Sequence, residues 1–424
     1  MFTSKRVSFA ISSLFASLLV ISPAQAATPQ SAPLADCQLK DARIIKTQPN
    51  NVGFPHSADI IPNLGVHKVI LIPIDFSDSP GTADFLAQQN AQMRTYSAWY
   101  KFFSNGRASA EVITSKKWFR ASKPSSEYVI GKNVPNAPNN DIAVMDATAQ
   151  DFINATGKTF DFTDSPSLFF IYPKVNQIGI ESSILGRGVD LQTPQGKKNL
   201  FYFGAGKYSF KFESELKKPY SRFWGLWIHE ILHSQGLALH APGNGFFTGL
   251  GQQQEGPSLT IGMWEQFLLG WLKDSQVYCA PASSLTSTTV VLNPLEIATD
   301  KYKTAIVPLS KTPALVVESR RPIGYSSGWD KVDSGAFVYL VDTTKDNDRS
   351  NESSGADKGN NMAFSKWAYY LAPDGSAMKN SRDFYFQYRD YFVKRGQSVT
   401  YGGVKITVLK SGTTDTVQIK KVAN

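Results

Sequence analysis

The chain is poor in cysteine and histidine and has no long apolar run, and each shortage excludes something. Two cysteines among 424 residues rule out a disulfide-dense scaffold and any four-cysteine metal cluster. The longest apolar stretch, Val7 to Ile21, is softened by serines and falls short of the roughly 20 residues that cross a bilayer. Val69–Ile74 is only strand length. Charged residues are 19% of the chain, and no Lys/Arg block is dense enough to form a nucleic-acid surface. Lys plus Arg is 44 against 35 acids, a formal +9, which becomes +7 once Lys5 and Arg6 are set aside. With 42% apolar and 12% aromatic residues the composition is ordinary for globular proteins, which excludes collagen-like, coiled-coil and wholly disordered chains.

Residues 1–26 read as an export signal. Lys5 and Arg6 form a positive start, an apolar stretch follows, and Ala24-Gln25-Ala26 supplies a small-x-small cleavage pattern. The expectation is a secreted protein with no integral membrane segment in its mature form. In an oxidising compartment two cysteines usually pair, so Cys37 and Cys279 are expected to form a disulfide. Such a bridge closes a loop long enough to stabilise by about 4–5 kcal/mol on the chain-entropy account. The competing readings make Cys37 a latency ligand for a metal site, or leave a free buried thiol.

Residues 27–65, rich in Ala, Pro, Ser and Asn, read as an extended N-terminal segment. From there to about residue 283 strands and helices alternate, which predicts an α/β (α+β) domain. Val69–Phe76 and Leu168–Tyr172 are near-continuous apolar runs suited to buried strands, and Ala110–Phe119 reads as a third. Ala83–Phe103 and Asp141–Ala155 carry helical spacing, the second capped by Asn139 or Asn140 and stopped before Gly157. Residues 284–424 hold seven short β-prone runs separated by turn residues and read as an all-β, sandwich-like domain. One of these runs is Phe384–Val393. The polar stretch Thr343–Asn361 reads as a solvated loop. Asp346 and Asp348 within it offer Ca²⁺ a foothold, but their spacing completes no loop motif.

Three of the five histidines fall within twelve residues, in His229-Glu230-Ile231-Leu232-His233-Ser234-Gln235-Gly236-Leu237-Ala238-Leu239-His240. At this chain's residue frequencies an H-E-x-x-H pattern arises by chance on the order of once per thousand such chains. Tyr220–Gln235 is apolar enough for a buried helix, where positions i and i+4 share a face. His229 and His233 can therefore hold one Zn²⁺ at about 2.0–2.1 Å each, with Glu230 beside the open coordination position. Neutral imidazoles leave the ion's charge uncancelled, so it can acidify a bound water. Glu230 would accept that water's proton and pass it to the departing amine. The plain alternative, a core helix with satisfied histidines, buries an acid and two imidazoles at high cost. Gly236 can end the helix in a left-handed turn that brings His240 to the ion as third ligand. Glu255 is the rival third ligand, although Gln252–Pro257 is a poor helix.

The segment H-E-x-x-H-x-x-G resembles the core of the metzincin signature. The offset to His240 and the pair Gly236-Leu237 look more like the secreted immune-inhibitor-A-type metallopeptidases. Val69–Phe76, Trp99-Tyr100 through Ser104-Asn105-Gly106-Arg107, and Ser258–Trp271 as the helix after the zinc site resemble the same family. So do Leu315–Arg321 and Val338–Asp342. The resemblance implies a zincin-like catalytic domain over 66–283 and an exported zinc-dependent endopeptidase acting on protein or peptide substrates. Met263 reads as a helix core residue, not as a methionine turn beneath the metal, and 17 tyrosines offer no basis for choosing one that steadies an oxyanion. The contrasting expectations are a catalytically inactive surface-binding protein on a protease fold and an adhesion module led by the β region. Intact Glu230 argues against the first.

Overall fold

The near-continuous apolar run Val69–Phe76 supplies an inner strand of the first sheet. In a computed structural model, residues 31–44, 51–58, 60–128, 142–164, 166–173, 188–206, 223–237, 258–345, 347–348, 364–365, 367–376 and 388–423 are described. Strand β1 (Gly65–Asp75) pairs in parallel with β2 (Ala108–Thr114), with the two-residue β3 (Phe119–Arg120) and with β4 (Ser167–Tyr172). The hairpin β5 (Val189–Thr193)–β6 (Gly196–Leu200) then leads into β7 (Tyr202–Gly206), which lies parallel to β4. The strand order is therefore β2-β1-β4-β7.

Continuous hydrophobicity along β1 follows from this position, because both faces of the sheet are covered. Val69 and Leu71 enter one apolar cluster, while Ile70, Ile72 and Ile74 enter another. The second face receives α2 (Ile142–Thr156) through Met145, Phe152 and Ile153. The first receives α1 (Ala83–Phe103) and α3 (Phe223–Ser234), whose Trp227 stacks on Phe169 of β4 at 5.2 Å. Thr82 caps α1 by accepting the Phe85 amide. Its other end is closed by Asn105 and Gly106, both in left-handed conformation.

Three segments depart from the sequence reading. The run Ala110–Phe119 is two strands, β2 and β3, separated by a turn at Ser115–Trp118 in which the Ser115 hydroxyl bonds Lys117. Ser258–Trp271 is not one helix. Only Met263–Leu268 is helical (α4), and Ser258 and Thr260 before it present their hydroxyls to Arg320. Within Phe384–Val393, Tyr388–Tyr391 forms a 3₁₀ turn held by Arg389 pairing with Asp330 and Asp333. The expected α2 caps Asn139 and Asn140 lie outside the described residues, as do residues 1–26.

After α4 the chain is β-rich. Strands β8 (Val277–Cys279), β10 (Thr304–Pro308), β11 (Pro313–Arg320), β12 (Gly335–Asp342) and β15 (Ala368–Tyr370) make one sheet, ordered β15-β12-β11-β10-β8. A second is built from β9 (Ser287–Leu292), β16 (Ser398–Tyr401), β17 (Val404–Ser411) and β18 (Asp415–Lys421), in the order β16-β17-β18-β9. The short pair β13 (Asn347–Asp348) and β14 (Phe364–Ser365) stands apart from both. Val307, Leu315, Val317, Val338 and Leu340 meet Val290, Val404, Ile406, Val417 and Ile419 in a shared cluster. The alternate residues Ile306, Val316, Phe337, Tyr339 and Val341 join the cluster that holds α1, α3 and Trp264. Ser31–Asn424 thus forms one compact unit of mixed α and β structure.

Cys37 and Cys279 are disulfide-bonded across 242 positions, which overturns both the latency-ligand and the free-thiol readings of Cys37. Inside the same unit Arg320 is fully buried between Glu296 and Glu318, each 2.9 Å away, and lies over the Trp329 ring. Arg321 pairs with Asp415 at 2.9 Å. No helix among the described residues is long and apolar enough to cross a membrane.

Candidate metal centre

Helix α3 reads Phe-Trp-Gly-Leu-Trp-Ile-His-Glu-Ile-Leu-His-Ser, and its apolar side chains bury it against β4 and α1. The four-residue spacing then does what helical geometry requires. The Nε2 atoms of His229 and His233 lie 3.1 Å apart, with the rings nearly perpendicular. His229 is buried, and Glu230 and His233 are half-buried. Burial pushes the Glu230 carboxyl up to about 8.

Nδ1 of His233 lies 3.5 Å from the Leu237 carbonyl oxygen, an arrangement that orients the ring with Nε2 toward His229. Two imidazole nitrogens facing one another this closely need a shared proton or a cation between them. With bonds of about 2.0–2.1 Å, the N–N edge of a tetrahedral zinc shell is about 3.3–3.4 Å, close to the observed separation. The donor set therefore fits a borderline-soft divalent ion of the zinc type.

Two of the three expected ligands are thus brought together. His240 and its rival Glu255 both lie outside the described residues. Among the described residues no group of three or more His, Cys, Asp and Glu could hold a metal ion. Of the Ca²⁺ candidates, Asp346 lies outside the described residues and Asp348 sits in β13. Met263 is fully buried in α4, where its amide donates to Glu318.

The helix ends as Gly236 suggested. The Leu237 amide reaches back to the Leu232 carbonyl and the Gly236 amide to that of His233, with Gly236 at φ +86°. What sequence reasoning missed is how this end is held. Amides of Ile60 and Ile61 donate to the Ser234 carbonyl at 2.9 and 3.1 Å, and the Asn51 amide donates to Gly236 O at 3.2 Å. Nε2 of His56 donates to the Gln235 carbonyl at 2.9 Å. The Gln235 side chain bonds Pro62 O and the Tyr100 hydroxyl. No local pattern in residues 51–63 announces this role; the one available signal was Gly236 itself, whose turn needs a partner for its last carbonyls.

Other segments singled out in the sequence meet in space. Asn105 and Arg107, which close α1, donate to the carbonyls of Trp271 and Leu272. Asp75 at the end of β1 takes a two-pronged bond from Arg120.

Compared with models of known protein families and with curated proteins, the chain matches none.

Proposed function

We propose that this chain is an exported zinc-dependent endopeptidase, similar to the secreted immune-inhibitor-A-type metallopeptidases. On this reading it has a zincin-like catalytic region followed by a β-sandwich-like one. The observation that carries the reading is the facing pair of His229 and His233 nitrogens on a buried helix, with Glu230 between them in sequence. His229 and His233 would hold the ion, with His240 as the third ligand. When bound, zinc supplies Lewis acidity that brings a water's pKa toward about 7 and polarises a peptide carbonyl.

Glu230 performs the proton work. Its carboxylate oxygen accepts a proton as water attacks the scissile carbonyl, and the resulting carboxylic acid returns that proton to the departing amine nitrogen. A cation held by the two imidazoles would favour the charged form of this carboxyl, the form that can accept a proton. Burial of His229 limits water around the pair.

The test combines elemental analysis of the purified full chain with digestion of casein, with and without a chelator. One zinc per chain and chelator-sensitive digestion support the reading. Zinc without digestion would instead favour a surface-binding protein on an inactive protease fold. In the Glu230→Gln variant turnover is expected to vanish while zinc stays bound, and loss of both would make Glu230 a ligand or a structural residue.

A further inference from the structure

A twelve-residue helix has no partners of its own for its last carbonyls, and fraying of the final turn would carry His233 away from His229. Here three successive carbonyls, those of Ser234, Gln235 and Gly236, receive four hydrogen bonds from residues 51–61. That segment is itself anchored. Val52 and Ile61 are buried in the main cluster, and the indoles of Trp264 and Trp271 donate to Val52 O and Asn63 O at 3.0 and 2.8 Å. Upstream, the Phe54 amide donates to Leu39 O and the Asp41 amide to Phe54 O. The Cys37–Cys279 bridge then ties this layer to β8.

We propose that residues 51–63 are a permanent strap that positions the His229–His233 helix, with His56 as a positioning residue. The segment from Ser31 onward is therefore a working part of the mature protein and not a removable pro-segment. The link to metal binding rests on the function proposed above, whereas the strap stands on its own contacts. His56 is the side chain to perturb, because its Nε2–H is the one side-chain donor among the four bonds. At Gly236 a Cβ would lie 3.2 Å from Cε1 of the same ring, so strap and helix end are in van der Waals contact as well.

The experiment uses the full chain and compares His56→Leu, which removes the donor, with His56→Gln, which keeps one at similar reach. Each is titrated with zinc after chelator treatment. A supporting group behind a metal site is worth about 10-fold or more in affinity, so His56→Leu is expected to weaken zinc binding by about tenfold, with His56→Gln restoring most of it. Zinc affinity in His56→Leu equal to the parent's, or no rescue by glutamine, overturns the positioning role. Amide hydrogen exchange on the parent separates this from the protease proposal. Slow exchange at Asn51, Ile60 and Ile61 supports the strap even in a parent that binds no zinc, an outcome that would sink the protease reading alone. Exchange at unfolded-chain rates overturns the strap. N-terminal sequencing of the secreted, zinc-loaded protein adds a third check. A start at or before Ser31 agrees, and a start beyond Asn63 refutes.

Discussion

Replacing Gly236 by alanine separates two costs that are usually confounded at a helix end. Gly236 has φ +86°, where an L side chain pays about 1–2 kcal/mol. A Cβ there would also lie 2.3 Å from the Ser57 carbonyl oxygen, a backbone atom that cannot rotate aside. The strap must therefore withdraw and give up its bonds to Ser234, Gln235 and Gly236, each worth about 1 kcal/mol net. The combined loss is about 4–6 kcal/mol, a large part of the stability of an ordinary domain. Gly157, which follows α2 at φ +56°, is the control, because a Cβ built there meets nothing within 4 Å. Gly157→Ala should cost only the backbone strain, about 1–2 kcal/mol. Urea unfolding followed by tryptophan fluorescence measures both variants against the parent. Equal losses would show that the strap does not press on Gly236, and the account of the helix end would be wrong.

Removing the disulfide with the Cys37→Ala/Cys279→Ala pair is expected to cost about 5 kcal/mol in the same assay, given its 242-residue loop. Arg320→Leu leaves Glu296 and Glu318 buried without their cation and should cost about 3–5 kcal/mol. Loss of the exposed Lys273–Asp300 pair should cost about 0–1 kcal/mol, and equal effects would refute the distinction. His67 supplies an acid limb. Burial lowers it from 6.5 to about 4 against the raising effect of its bond to the Ser109 backbone, so below pH 6.5 the unfolded chain takes up a proton that the folded one refuses. Stability present above pH 6.5 should fall by about 3 kcal/mol as the pH drops to about 4, and His67→Gln should flatten that limb.

How much of this was legible depends on the range of the interaction. β1 and β4 announced themselves because burial on both faces demands unbroken apolar sequence. α1 did so through helical spacing ended by Asn105-Gly106. The histidine pair was equally legible, since its geometry is fixed within one helix. Ser258–Ile261 misled because a family resemblance cannot reveal that Ser258 and Thr260 turn toward Arg320, sixty or more positions away. The β5–β6 hairpin went unread although Thr193-Pro194-Gln195-Gly196 carries a turn signal, with Gly196 at φ +91°. The strap was invisible for the same reason as Arg320: its partners lie 173 to 185 positions downstream.

That distance also sets an order of assembly. Contacts of high sequence separation form late, because loop closure must be met before they contribute. The strap leaves the ribosome long before Ser234–Gly236, and Cys37 long before Cys279. The histidine helix therefore acquires its final turn only after most of the chain has emerged, so a half-delivered chain lacks a finished site. Pulse-labelling exchange during refolding should find Ile60 and Ile61 gaining protection together with Gln235–Leu237. Early protection of the strap alone would contradict this order.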